Sequence, residues 1–265
     1  MSRSFAKIIH WAGSKYWMQD SLMGYLPQEY GDIHIGFFGR GDDLQILRGR
    51  GVEKHAFVSD INERLVMMHL GVRDHAEQVM AVLEEHRINA SEDYYLKVRD
   101  RFDPNMPLAT TTADQIYLFS NSYKGIAKFA KDGSCTNVNA RTGFSFDPET
   151  IRRHSRFLRN TTITAEDYAP AVLRAKPGDL VRLDPPYQGG VTVHGLRFTD
   201  EDHYRLRNVC NELHRRGVLF LMTNGDTPFI RHIYRNFCIT EIEAPRTLGW
   251  AKNGGRAKEL VISNY

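Results

Sequence analysis

Four consecutive residues, Asp184-Pro185-Pro186-Tyr187, concentrate the chemistry of this chain. They follow the apolar run Leu180-Val181-Arg182-Leu183 and precede Gln188-Gly189-Gly190, so a β-strand should deliver them to a loop. Two prolines fix φ twice and remove two backbone N–H donors, which forces the chain out of the sheet with carbonyls left unpaired. A carboxylate, exposed proline carbonyls and a tyrosine ring suit the gripping of a planar ring that carries an amino group. The same residues also suit a strand end closed by a proline turn, and the remainder of the chain has to decide between the two.

Several other stretches supply candidate partners for that corner. Ile8-Ile9-His10-Trp11-Ala12-Gly13-Ser14-Lys15-Tyr16 reads as a small-residue loop leading into an amphipathic helix that ends near Leu26-Pro27. Trp11 offers an aromatic face and Lys15 a cation, although a core tryptophan and a solvated lysine fit the same letters. Asp32 to Asp43 reads as a short strand breaking into a turn at Gly36, Gly39 and Gly41, with Phe37 and Phe38 inside it and helix resuming around Leu44. His55 to Asn62 is a second strand, ending in Asp60 and Ile61. A glycine turn after one strand and an acid at the tip of the next make a nucleoside site, where the backbone approaches the ligand and the carboxylate takes ribose hydroxyls. The order G-x-x-G-x-G differs from the dinucleotide fingerprint and counts against a nicotinamide cofactor.

From Glu63 to about Asn160 the pattern turns helical, with apolar residues at Val79, Val82 and Leu83, then Tyr94, Tyr95 and Val98, broken by Pro104 and Pro107. Within it, Asp132-Gly133 sits between two extended pieces and predicts a β-hairpin. Lys124, Lys128, Lys131, Asn137, Asn139 and Arg141 surround that turn and could probe a DNA groove, or could equally be solvated surface. Thr161 to Thr164 is strand-like and leads to Asp167-Tyr168 and a helix to about Ala175. Thr199 to Asp202 is a capping box ahead of a helix to Arg216. Val218 to Thr223, Phe237 to Ile242 and Glu259 to Ile262 read as strands, with a helix opened by Pro228 between the first two. Strands alternating with helices on either side of a helical middle imply an α/β sheet with helices on both faces and an inserted, mostly helical domain carrying the hairpin.

The bulk numbers agree with a soluble enzyme or binding protein and exclude little else. At 265 residues, 42% hydrophobic, with a net charge of +3, the chain can bury one large core plus an insert, and its mildly basic balance permits nucleic acid. Three scattered cysteines make neither a disulfide framework nor a four-ligand zinc site, and Cys210 with His214 reads as packing plus surface, so no metal is expected. No signal-like or membrane-spanning run occurs, so the expectation is a cytoplasmic protein without a membrane partner. A monomer is the simplest expectation, with a dimer as the alternative.

Taken together, these stretches resemble the Dam-type DNA adenine methyltransferases, the D12 or alpha group, which place a target-recognition region between a cofactor half and a catalytic half. Asp184 to Tyr187 matches that family's catalytic motif residue for residue. His10 to Lys15 resembles its N-terminal cofactor loop, Gly36 to Gly41 its glycine motif and Ser59 to Asn62 its ribose-binding strand end. Asp167-Tyr168 resembles its acid-aromatic pair beside the cofactor adenine, and Thr223 to Thr227 and Glu259 to Tyr265 its late strands. The family usually carries an acid before the aromatic of the glycine motif, where this chain has Ile35-Gly36.

The resemblance implies a Rossmann-like S-adenosylmethionine-dependent methyltransferase with a catalytic domain of residues 1–63 and 161–265 and a target-recognition domain of residues 64–160. It also implies S-adenosylmethionine as cofactor, double-stranded DNA as partner and methylation of a flipped adenine at N6. In this sequence the implied catalytic residues are Asp184, Pro185, Pro186 and Tyr187. The implied cofactor residues are Trp11, Ala12, Gly13, Lys15, Gly36, Phe37, Phe38, Gly39, Gly41, Asp60, Ile61, Asp167, Tyr168 and Asp184. Alternatives are transfer to the cytosine N4 amine or to RNA, or a DNA-binding protein that keeps the fold without catalysis.

Overall fold

The computed structural model describes residues 7–9, 11, 14–122, 135–136, 143–189, 198–245 and 256–265. The β-branched and apolar runs become strands β1 (Ile33–Ile35), β2 (Ala56–Asp60), β3 (Thr161–Ala165), β4 (Leu180–Leu183), β5 (Leu219–Gly225), β6 (Cys238–Pro245) and β7 (Arg256–Ser263). They form one sheet in the order β3-β2-β1-β4-β5-β7-β6. Neighbours from β3 to β5 pair in parallel, while β7 runs antiparallel to both β5 and β6. The helices are α1 (Asp42–Gly49), α2 (Glu63–Asn89), α3 (Glu92–Arg101), α4 (Leu108–Asn121), α5 (Pro148–Phe157), α6 (Tyr168–Val172), α7 (Asp200–Arg215) and α8 (Pro228–Ile233).

These elements gather into two compact units. One comprises Met1–Ala12, Gly39–Arg48 and Asn62–Arg159, and the other Gly13–Phe38, Gly49–Ile61 and Asn160–Tyr265. The first, called the helical unit below, packs Ile8 and Ile9 with Leu65, Met68 and Val72 of α2, Ile116 and Phe119 of α4 and Ile151 of α5. A neighbouring cluster joins Tyr95 and Val98 of α3 to Tyr117 and Leu118 of α4. Local signals start these helices: Asn62, Ser91 and Asp147 each cap an N-terminus by accepting a backbone N–H.

The second, the sheet unit, holds all seven strands. Val181 and Leu183 of β4, Phe220 and Met222 of β5 and Leu260 and Ile262 of β7 pack with Leu206, Cys210 and Leu213 of α7 and Ile230 and Ile233 of α8. Alternate residues Leu180, Arg182, Leu221, Thr223 and Val261 are buried as well, which is why the strands read as continuous apolar runs with little alternation. The capping box of α7 forms as read, with Thr199 and Asp202 bonding each other's backbone N–H groups, and Thr227 caps α8 ahead of Pro228.

Two local expectations change. The stretch after Lys15 is two short 3-10 helices, Tyr16–Met18 and Leu22–Tyr25, instead of one amphipathic helix. Met18 and Leu22 are its buried anchors; Leu26 continues their spacing of four, but it is already extended (φ −74°, ψ 146°) ahead of Pro27, and Gly24 weakens the turn before it. Helix α6 ends at Val172, short of Ala175, and the Arg216 guanidinium takes the carbonyls of Leu173 and Ala175 at 2.7 and 2.6 Å. The hairpin around Asp132-Gly133, together with Lys124, Lys128, Lys131, Asn137, Asn139 and Arg141, lies outside the described residues, as do His10, Ala12 and Gly13. Cys210 is fully buried in the sheet unit, where burial pushes its thiol up, and this places it in the packing. Among the described residues no helix is long and apolar enough to cross a membrane.

Candidate active site

The sheet order reverses between β1 and β4, and in open parallel sheets the crevice beyond the carboxyl ends of the strands at such a point is where ligands bind. Gly36 follows β1 there, Asp60 ends β2 and Asp184 follows β4. Gly36 has a packing reason to lack a side chain: a Cβ on it would stand 2.8 Å from Val172 Cγ1 and 3.2 Å from Tyr168 Cβ, so α6 can lie against β1 only over a glycine.

Asp184 stands at the centre of a charged cluster. Its Oδ1 accepts the Thr223 hydroxyl at 2.7 Å and lies 3.3 Å from Lys15 Nζ. Lys15 also reaches Glu259 Oε2 at 3.6 Å and sits 4.5 Å from the centroid of the Tyr187 ring, a cation–π distance. The Tyr187 hydroxyl donates to Glu259 Oε2 at 2.7 Å. Burial, with the carboxylates of Asp184 and Glu259 adding to it, pushes that phenol well above its ordinary range, so it stays a donor at neutral pH. Glu259 reaches this place because β7 pairs with β5 in a register that sets it opposite Gly225, where a Cβ would meet the Tyr187 ring at 3.4 Å. Pro185 is buried and Pro186 exposed. The following turn is tied down by Gln188, which donates to Asp200 at 3.0 Å and accepts the Thr227 hydroxyl at 2.6 Å.

The other candidate residues of the sheet unit take two kinds of place. Ile61 projects into solvent at 59% exposure beside the partly buried Asp60. Phe37 is half-buried and stacks on Tyr168 with ring centroids 4.7 Å apart, while Tyr168 itself is buried. Asp167 caps α6 through Ala169 N at 2.9 Å and is forked by the Arg205 guanidinium at 2.6 and 2.9 Å. Arg205 holds the Asp167 carboxyl below its usual range, and the side chain remains 32% exposed. Phe38 is buried, and its N–H donates to Ser59 O at 2.9 Å.

In the helical unit, Gly39 and Gly41 both have positive φ, +51° and +83°, as a sharp glycine turn requires. The Gly39 carbonyl faces His69 Nε2 at 2.8 Å, and Trp11 packs against Gly39 and, with ring centroids 6.2 Å apart, against Phe119.

Sequence reading alone missed three residues of the Asp184 cluster. Thr223 and Glu259 were read only as parts of late strands, and Arg182 only as part of an apolar run. The signals were present: Arg182 is the one charge in Leu180–Leu183, and Glu259 is an acid opening an otherwise apolar stretch. A buried charge demands a partner, but neither letter names it. Among the described residues no group of three or more His, Cys, Asp or Glu is placed to hold a metal ion.

Residues 11–248 match the family model described as D12 class N6 adenine-specific DNA methyltransferase. The type II methyltransferase M1.LlaDCHI of Lactococcus lactis subsp. cremoris is 28% identical over 99% of this chain and 95% of its own length. The type II methyltransferase M.MjaIII of Methanocaldococcus jannaschii is 26% identical over 97% of this chain and 98% of its own length. The Retron Ec67 DNA adenine methylase of Escherichia coli is 25% identical over 97% of this chain and 90% of its own length. A match of that extent makes this chain a member of the D12 class of N6 adenine-specific DNA methyltransferases.

Proposed function

We propose that the protein transfers a methyl group from S-adenosylmethionine to the N6 amine of an adenine extruded from duplex DNA, with Asp184 as the group that grips the amine. The observation that carries this reading is the Asp184 cluster at the strand tips, which holds a carboxylate in place while leaving it 16% exposed. The N6 lone pair is delocalised into the purine ring, so a catalyst has to draw on the amine hydrogens to localise it. Asp184 and the Pro185 carbonyl are the acceptors for those hydrogens, and no backbone N–H among the described residues donates to Pro185 O. When bound, S-adenosylmethionine supplies a sulfonium methyl, and the N–C bond forms as the C–S bond breaks, leaving the thioether. The amine proton passes to Asp184 or to water. Catalysis then rests on positioning and electrostatics.

The residues present fit the cofactor. Asp60 would take the ribose hydroxyls, the exposed Ile61 and half-buried Phe37 would flank the adenine, and Asp167 would accept from its amino group. The target adenine has to leave the duplex to reach Asp184, and Glu259 fixes the Tyr187 ring on which it would stack. Recognition of the DNA sequence falls to the segment bearing Lys124, Lys128, Lys131, Asn137, Asn139 and Arg141, and the inserted residues 64–160 form the target-recognition domain.

The test is Asp184→Ala, assayed under single-turnover conditions with labelled S-adenosylmethionine and genomic DNA from a methylation-deficient host. The methyl-transfer step should fall by at least ~100-fold, because the lost interaction strengthens in the transition state. Cofactor affinity by calorimetry should largely survive. Nucleoside analysis of the product should find N6-methyladenine, and N4-methylcytosine in its place would redirect the reading to the other ring amine.

A further inference from the structure

Arg182 points from the middle of β4 into the sheet unit's interior, is 2% exposed, and ranks among the largest fully buried side chains. Its contacts include three acceptors: Nη1 donates to the Leu183 carbonyl and to the Leu221 carbonyl at 3.5 Å, and Nη2 donates to Thr223 Oγ1 at 3.0 Å. An apolar side chain of similar volume would fill the site without the cost of desolvating a charge, so the guanidinium calls for a reason beyond packing.

The hydrogen inventory supplies one. A guanidinium carries donors only and stays protonated, so at the Arg182 contact the Thr223 oxygen has to accept. Its single hydrogen is then directed elsewhere; the Tyr187 oxygen is also within its reach, but the Asp184 carboxylate, with Oδ1 2.7 Å away, is the stronger acceptor and takes it. That hydrogen bond runs one way, from Thr223 to the carboxylate, and it pins one oxygen and hence the plane of the group. Oδ2 accepts no hydrogen bond from the described residues and is left as the oxygen for the incoming amine. We infer that Arg182 and Thr223 are positioning residues for methyl transfer, a buried relay from β4 through β5 that fixes the orientation of Asp184 and commits its Oδ2 to the adenine amine. This rests on the reading of Asp184 as the amine-gripping group.

Thr223→Val keeps shape and removes the hydroxyl, and Thr223→Ser restores it. With full-length protein, labelled S-adenosylmethionine and methylation-deficient genomic DNA, Thr223→Val should slow the single-turnover step by roughly 10–100-fold. Its affinity for S-adenosylmethionine should change by less than about twofold, since the Asp184 carboxylate itself stays in place and only its orientation is released. Thr223→Ser should recover most of the lost rate. Arg182→Met added to Thr223→Val should cost no further rate, because the relay is already cut; Arg182→Lys takes its place if the methionine variant does not fold. Wild-type rate in Thr223→Val, while Asp184→Ala is slow, overturns the relay and leaves the reading of Asp184 standing. Equal losses in the valine and serine variants overturn it too, because the hydroxyl is then not the cause. A full further loss from the Arg182 substitution removes Arg182 from the relay. Wild-type rate in Asp184→Ala overturns the reading itself, and the inference with it.

Discussion

The ionic cluster of the sheet unit and that of the helical unit use similar residues to opposite ends. Around Asp184 the charges stand at strand tips and keep a face to solvent, with the Asp184 and Glu259 side chains 16% and 13% exposed. In the helical unit, His86 of α2 and Asp114 of α4 meet at 2.9 Å with neither side chain exposed at all. His86 Nδ1 contacts the Tyr94 hydroxyl at 3.0 Å, its ring stacks on Tyr117 at 4.7 Å, and Arg101 donates to Asp114 at 2.9 Å. An open carboxylate can exchange a protein partner for a ligand, whereas a closed one has only its protein partners to lose. Substitutions in the closed cluster should therefore appear as stability, and those in the open one as binding or rate.

The largest effect should come from the closed cluster. Asp114→Ala strips a fully buried carboxylate from the buried His86 ring and from Arg101, whose side chain is 46% exposed, and losing a hydrogen-bonding partner of that charged kind costs roughly 1.5–3 kcal/mol. Denaturant unfolding should show that loss, while the affinity for S-adenosylmethionine at a temperature where the variant is folded should match wild type. A variant of normal stability and weak cofactor binding would reverse the roles assigned to the two clusters.

The second effect is pH-dependent and also belongs to the helical unit. His69 is fully buried, contacts Gly39 O at 2.8 Å and stacks beside His154 at 3.1 Å between ring nitrogens. Burial pushes its pKa down to about 4, with the Gly39 carbonyl opposing. The unfolded chain takes up this proton near the ordinary histidine value of about 6.5 and the folded one only near 4, so between those values the unfolded state binds more protons. The contribution is present above about pH 6.5 and is lost as pH falls towards 4, at about 1.4 kcal/mol per unit and on the order of 3 kcal/mol in all. Unfolding of wild type and of His69→Gln at pH 7 and pH 5 isolates it from the carboxylates that titrate in both. The stability difference between the two proteins should shift in favour of the variant on acidification, and a constant difference would show that His69 is not held neutral.

The two units also differ in how far their sequence betrayed them. Strands β1, β2, β4 and β5 were legible because apolar runs end at Gly36, Asp60, Asp184 and Asn224-Gly225, β3 because its residues are β-branched, and α7 and α8 because Thr199 and Thr227 announce their starts. Asp184 was legible because two prolines force an exit from the sheet at a fixed place. Lys15 was legible as a candidate partner for that corner, but Thr223 and Glu259 were not: they come from distant parts of the chain, and a single-residue slip of β7 against β5 would point Glu259 to the other face of the sheet. Arg216 ending α6 is of the same kind, a contact across forty-odd residues that no local pattern encodes. The closed pair of His86 and Asp114 looked like two ordinary polar letters in helices, since burial of a polar side chain is decided by what packs over it.

The smallest effect sharpens the open side of the comparison. Asp60 ends β2 beside the exposed Ile61, at the same edge of the sheet as Asp184. A carboxylate shared by two ribose hydroxyls contributes charge-assisted hydrogen bonds worth about 1.5–3 kcal/mol, so Asp60→Ala should weaken binding of S-adenosylmethionine by roughly 10–150-fold. DNA affinity, measured without cofactor by fluorescence anisotropy, should change far less, because a protein's affinity for duplex DNA comes mostly from cationic contacts to phosphate, to which a carboxylate adds nothing. Calorimetry with S-adenosylhomocysteine separates the nucleoside contact from the methyl group, and the loss should be the same for both ligands. Equal weakening of cofactor and DNA would mean that Asp60 acts through the folded framework, as Asp114 does, and would place it on the closed side of the comparison.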